Sequence, residues 1–139
     1  MMLIPDVNVL VTAFNADDPR SARTYDWLKE QLQAPEVLGI WEVTLSSLIR
    51  IVTNPRVAIE SGGAFEFASA LRDHPRVVRV SPTPSHWPRF LQLCRVANAR
   101  GPLVPDAYLA ALAMDWEAEL ITFDRDFARF PGLRTRPPF

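Results

Sequence analysis

The chain has 139 residues, 48% hydrophobic and 22% charged, with a formal net charge of −1. That length and composition fit one globular domain over residues 1–139, and the near-neutral balance excludes a polycation that grips nucleic acid through bulk charge. No apolar run approaches the roughly 20 residues of a membrane helix, and the lone Cys94 with two separated histidines makes neither a disulfide framework nor a zinc site.

The opening MMLIPDVNVLV has no basic stretch and meets an acid at Asp6. No secretory leader is therefore expected, and a reducing cytoplasm is the natural setting. Residues 2–5 form a short apolar run of the kind that makes a buried strand. A helix over 8–14 stops at the polar Asn15-Ala16-Asp17-Asp18. Pro19 opens the next, over 19–33, where Tyr25, Leu28 and Leu32 share one face. Residues 36–40 read as a second strand, and 41–52 as a helix that Asn54-Pro55 ends. After Ser61-Gly62-Gly63 an amphipathic stretch covers 64–71, followed by a third strand over 77–80. Helices are predicted over 86–99 and 105–116, and strands over 119–123 and 133–135. Strands alternating with helices, without hairpin signals, predict a parallel sheet of four to five strands covered on both faces. Ligands of such folds bind beyond the carboxyl ends of the strands.

The residues at those ends are acids. Asp6 closes the first strand, Asp124 the fourth, and Asp106 begins the helix before the fourth. Each alone is a good helix cap. Three acids at one sheet edge, however, repel one another without a cation, and a hard divalent ion with oxygen ligands resolves that repulsion. Glu42, Ser46 and Arg50 form a narrow polar stripe at i, i+4 and i+8 on an otherwise apolar helix. The stripe offers Glu42 as a fourth acid facing a cleft, with Arg50 holding it or touching a phosphate; a solvated helix face is the alternative. Asp126 is either a further site acid or the cap of the short turn 125–130. The fourteen Arg against one Lys, Lys29, reflect either a coding bias toward Arg or a use for planar, bidentate phosphate contacts. Arg50, Arg56 and Arg125 are the candidates for them. Trp27, Trp116, Phe90 and Cys94 read as core or interface, and His74 and His86, beside prolines, as loop or helix-start residues.

Leu3-Ile4-Pro5-Asp6-Val7-Asn8-Val9-Leu10, Leu48-Ile49-Arg50-Ile51-Val52-Thr53-Asn54-Pro55-Arg56-Val57, Asp106-Ala107-Tyr108-Leu109-Ala110-Ala111-Leu112-Ala113 and Ile121-Thr122-Phe123-Asp124-Arg125-Asp126-Phe127 resemble, in order, the motifs of PIN-domain ribonucleases. The resemblance is closest to the VapC toxins of bacterial toxin–antitoxin pairs. It implies a PIN-like three-layer α/β/α sandwich and a Mg²⁺-dependent endoribonuclease, with Mn²⁺ able to substitute, leaving a 5′-phosphate and a 3′-hydroxyl. It also implies an RNA substrate, a cognate VapB-type antitoxin, a homodimer and no membrane association. Asp6, Asp106 and Asp124 match the first-, third- and fourth-motif metal ligands. Asn8 stands where many relatives have Ser, Thr or Asn. Glu42 would be the second-motif acid, which many relatives place further into this helix, where the chain has Leu45, Ser46 and Ser47. Helices 19–33 and 41–52 are expected to form the groove for an amphipathic antitoxin helix. A basic residue at that partner's end would neutralise Asp6, Glu42, Asp106 and Asp124.

Two other folds gather acids at strand ends. A receiver domain needs adjacent acids early and a late Lys, and a haloacid-dehalogenase-type phosphatase needs D-x-D where this chain has Asp6-Val7-Asn8. The remaining alternative to an enzyme is a PIN-like scaffold that binds RNA or protein without catalysis.

Overall fold

Leu3 and Ile4 point to opposite faces of one strand and both are fully buried, so that strand must be covered on two sides. In the computed structural model, which describes residues 1–57 and 59–139, this strand is β1 (Met2–Pro5), the centre of a five-stranded sheet. With β2 (Val37–Trp41), β3 (Val77–Val80), β4 (Ala118–Ile121) and β5 (Thr135–Arg136), the spatial order is β3-β2-β1-β4-β5, and every pairing is parallel.

Helices α1 (Val7–Phe14), α2 (Ser21–Gln31), α3 (Glu42–Val52) and α4 (Ala64–Asp73) share one apolar cluster with Leu3, Leu38 and Ile121. On the other face α5 (His86–Val96), α6 (Leu103–Asp115) and a 3₁₀ turn (Arg125–Arg129) pack on Ile4, Val80 and Leu120. The result is the expected α/β/α sandwich. Among the described residues no helix is long and apolar enough to cross a membrane.

The elements fall within a few residues of their sequence-based bounds, and the differences have local causes. The helix expected to reach residue 99 stops at Val96 because Asn98 adopts a left-handed φ of 49° and the Ala99 N–H turns back to the Cys94 carbonyl at 2.9 Å. The fourth strand ends at Ile121 rather than 123, since the Phe123 N–H is taken by the Asn8 side chain. On the first of these faces α1 packs against both α2 and α3, and open grooves lie between α3 and α4 and beside α1 and the start of α2.

The chain order fixes where a site can form. From β1 it moves outward to β2 and β3, then crosses back to β4 on the other side of β1. The β1/β4 boundary is therefore the topological switch point, where an open parallel sheet leaves a crevice at its carboxyl edge. Helix α6 feeds β4 and runs back along the sheet, so its N-terminal turn lies at the same edge.

Candidate active site

The register of β1 on β4 aligns Pro5 with Ile121, and the Asp6 N–H extends the ladder to the Ile121 carbonyl at 2.8 Å. The next residues along, Asp6 and Thr122, therefore meet across the switch point. Asp6 is the N-cap of α1: its Oδ1 accepts from the Val7 N–H at 2.7 Å. Its Oδ2 accepts from the Thr122 hydroxyl at 2.7 Å and from Asn8 Nδ2 at 3.3 Å. Asn8 reaches in the other direction as well, accepting the Phe123 N–H on Oδ1 at 3.2 Å. Thr122 Oγ1 in turn accepts the Asp124 N–H at 3.0 Å. Asp6 and Thr122 are both buried. Two short polar side chains thus tie the end of β1 to the loop after β4, and Asp6 cannot turn away.

The remaining acids surround this anchor. Asp106 lies in the first turn of α6 and is half-buried. Asp124 caps the 3₁₀ turn by accepting the Asp126 N–H at 2.9 Å. Burial holds the Asp6 carboxyl above the ordinary range, against the lowering effect of its hydrogen bonds, and Asp124 adds repulsion. Asp106 is raised first by its own burial, then by the charges of Asp124, Asp6 and Asp126, with Arg129 partly offsetting them. Asp6, Asp106, Asp124 and Asp126 are therefore one electrostatic cluster.

Its donors are all oxygens, which suits a hard divalent cation. As they stand, no three His, Cys, Asp or Glu side chains among the described residues are gathered closely enough to hold an ion.

A PIN-domain sequence model matches residues 3–133. The chain belongs to the PIN-domain family. Within it, this PIN domain is 36% identical to ribonuclease VapC25 of Mycobacterium tuberculosis, covering 99% of both chains. It is 39% identical to ribonuclease VapC43 of the same organism, over 99% of this chain and 95% of that one. Its fold is similar to that of VapBC2 from Rickettsia felis, solved bound to a DNA fragment from its promoter, with a TM-score of 0.73, 17% identity and coverage of 99% and 98%.

The PIN domain brings together Asp6, Asn8, Asp106, Asp124 and Asp126 of the residues singled out in the sequence. It does not bring Glu42 or Arg50 to them. Glu42 opens α3 at the end of β2, on the same sheet edge, but its exposed carboxylate forms a 2.6 Å ion pair with Arg72 of α4. Arg72 holds it below the ordinary carboxylate range. Arg50 lies on the exposed last turn of α3, so the partner of Glu42 is Arg72 and not Arg50. The Glu42–Ser46 side of the stripe lines an open groove of about 560 Å³ with Ala68 and Ser69 of α4. The capping role considered for Asp126 belongs to Asp124. Arg56 is exposed in the loop after α3, and Arg125 is exposed beside Asp124.

Two residues that the sequence reading did not single out matter here. Thr122 is the buried hydroxyl that fixes Asp6, and its signal was a lone hydroxyl in the apolar run Ile121-Thr122-Phe123. Arg72 had no sequence signal, because its pairing depends on how α4 packs against α3, 30 residues away.

Proposed function

We propose that this PIN domain is the toxin of a toxin–antitoxin pair, a metal-dependent endoribonuclease that hydrolyses RNA phosphodiester bonds at the switch-point aspartates. The observation that carries this reading is the convergence of Asp6, Asp106 and Asp124 at one sheet edge, where their charges oppose one another. Full-length identity of 36–39% to relatives named ribonuclease supports it.

The resident ion would be Mg²⁺, with Mn²⁺ able to substitute, held by Asp6, Asp106 and Asp124. Such an ion would supply Lewis-acid chemistry there, polarising a phosphate oxygen and making water a better nucleophile. The chain's own residues do the rest. Thr122 and Asn8 keep the Asp6 carboxylate aimed across the β1/β4 crevice. Asp126 adds negative charge at the rim beside Asp106. Glu42 is the proposed fourth acid, orienting the attacking water from the end of β2. Its pairing with Arg72 is exposed and screened by solvent, too weak to fix it there. Arg125 is the proposed phosphate contact nearest the acids, and Arg50 and Arg56 are the outer ones. In-line attack of water on phosphorus, with the P–O3′ bond breaking and the leaving O3′ taking up a proton from solvent, leaves a 5′-phosphate and a 3′-hydroxyl.

The partners proposed are a VapB-type antitoxin whose terminal basic residue neutralises the acid cluster, and a second copy of the chain. The setting proposed is the cytoplasm, where RNA is available and Cys94 stays reduced. Incubating purified protein with RNA tests the enzymatic reading. Cleavage should need Mg²⁺ or Mn²⁺, stop with chelator, yield 5′-phosphate ends and fall at least 100-fold in Asp6→Ala. RNA that is bound but never cut would overturn it in favour of a non-catalytic scaffold.

A further inference from the structure

A cluster of carboxylates is a poor landing site for a polyanion, so a nuclease with a net charge of −1 needs a local cationic wall. One cleft supplies it. Between the 3₁₀ turn and the C-terminal segment lies a cavity of about 600 Å³, bounded at one end by Thr122 and Asp124 of the acid site. Its wall carries Arg20, Arg125 and Arg136. Arg20 is paired with Asp18 and Arg136 with Glu119, at 3.0 Å each, whereas Arg125 has no acidic partner among the described residues. All three guanidinium groups lie on exposed residues.

The same cleft carries rings. Phe123 and Phe139 meet edge to face with centroids 5.9 Å apart, and the Arg20 guanidinium lies 4.4 Å from the Phe123 centroid. Arg23 covers the Phe139 ring at 3.9 Å. Planar guanidinium groups and aromatic rings interleaved along a basic track are the chemistry that binds unpaired nucleotides: cations take the phosphates and π-faces take the bases. Thr135 also lines the cleft, and its buried hydroxyl has no hydrogen-bond partner among the described residues.

We propose that this cleft is the track along which single-stranded RNA reaches the aspartate site. Arg125 and Arg136 contact successive phosphates, and Phe139 with its Arg23 cover offers a stacking platform for a base. The inference rests on the ribonuclease reading and adds the strand's path along this cleft. A duplex keeps its bases stacked and gains nothing from the rings.

The test is binding of a labelled single-stranded RNA oligonucleotide in chelator, where no cleavage is needed, followed by cleavage kinetics in Mg²⁺. R125Q/R136Q should weaken binding and raise KM at least tenfold while kcat stays within threefold. Its log Kd–log salt slope should fall by about 1.4, for two contacts on a single strand. Phe139→Ala, which keeps every charge, should weaken binding severalfold with an unchanged slope. The charge-matched control K29A/R95A, on other surfaces, should match wild type. Cleavage by wild type with unaltered KM and slope in R125Q/R136Q would overturn the track while leaving the ribonuclease reading intact. A wild type that binds through this cleft yet cuts nothing would overturn the ribonuclease reading instead. Loss of antitoxin inhibition in R125Q/R136Q with RNA binding untouched would make the cleft a protein dock and end the proposal.

Discussion

Thr122 Oγ1 serves three groups at once, donating to Asp6 Oδ2 and accepting from Asn8 Nδ2 at 3.1 Å and from the Asp124 N–H. That one oxygen fixes two of the proposed ligands. Among the described residues Asp106 has no such support, and its burial first, then the charges of its neighbours, oppose its ionisation. Its proton is bound more tightly in the folded chain than in the unfolded one. Ionisation therefore costs stability above the raised folded-state pKa, and the cost disappears as pH falls toward the unfolded value near 3.8. In chelator at pH 7–8, Asp106→Asn should melt about 1–3 °C above wild type, and the gap should close toward pH 4. A gap independent of pH would mean that charge is not its cause. Glu42 poses a different question. Glu42→Gln should cut cleavage more than 30-fold while leaving the melting temperature nearly unchanged, because the exposed Arg72 pair contributes little. Retained cleavage, coupled with its loss in Asp126→Asn, would move the fourth role to Asp126.

At the scale of elements, the sheet depends on close approach at β2. A Cβ on Gly39 would lie 3.1 Å from Cγ1 of Ile4 and of Val80, both β-branched and slow to yield, and 2.8 Å from the Met2 sulfur. Gly39→Ala should destabilise by about 1–3 kcal/mol in urea unfolding, with a flatter loss of activity than any acid variant. An unchanged midpoint would show that the three neighbours shift freely. The short apolar runs at 2–5 and 36–40 were legible because inner parallel strands are buried on both faces and carry mostly apolar residues, while the edge strand at 77–80 showed through its three valines although Val78 and Arg79 are exposed. Asp6, Asp106 and Asp124 were legible because each stands where an element begins or ends, and element ends set a site's position. What sequence could not show was pairing. The partner of Glu42 is chosen by α3 packing on α4, and the end of β4 by a side chain from α1 that captures the Phe123 amide. The two-residue β5 begins at Thr135, two residues later than its apolar pattern suggested, because an edge strand this short is defined by its ladder to β4.

For the whole molecule, the sheet separates two edges of different character. Around the amino edge, Met1, Arg89, Met114 and Arg134 line a cleft with no cluster of acids. The carboxyl edge gathers the aspartates at the switch point and places the arginine-lined cleft beside them. On the proposed reading, that cleft attracts RNA locally to a chain whose net charge is −1. The reading rests on one claim: the aspartates tolerate one another because a divalent cation joins them. Thermal melting of wild type and Asp106→Asn, each with chelator and with Mn²⁺ at about 100 times its dissociation constant, tests this most directly. With chelator the variant should melt higher. With Mn²⁺ the wild type should gain about 2.7 kcal/mol and the variant far less, so that the order reverses. Equal gains in both proteins, or none in either, would contradict the shared-ion site.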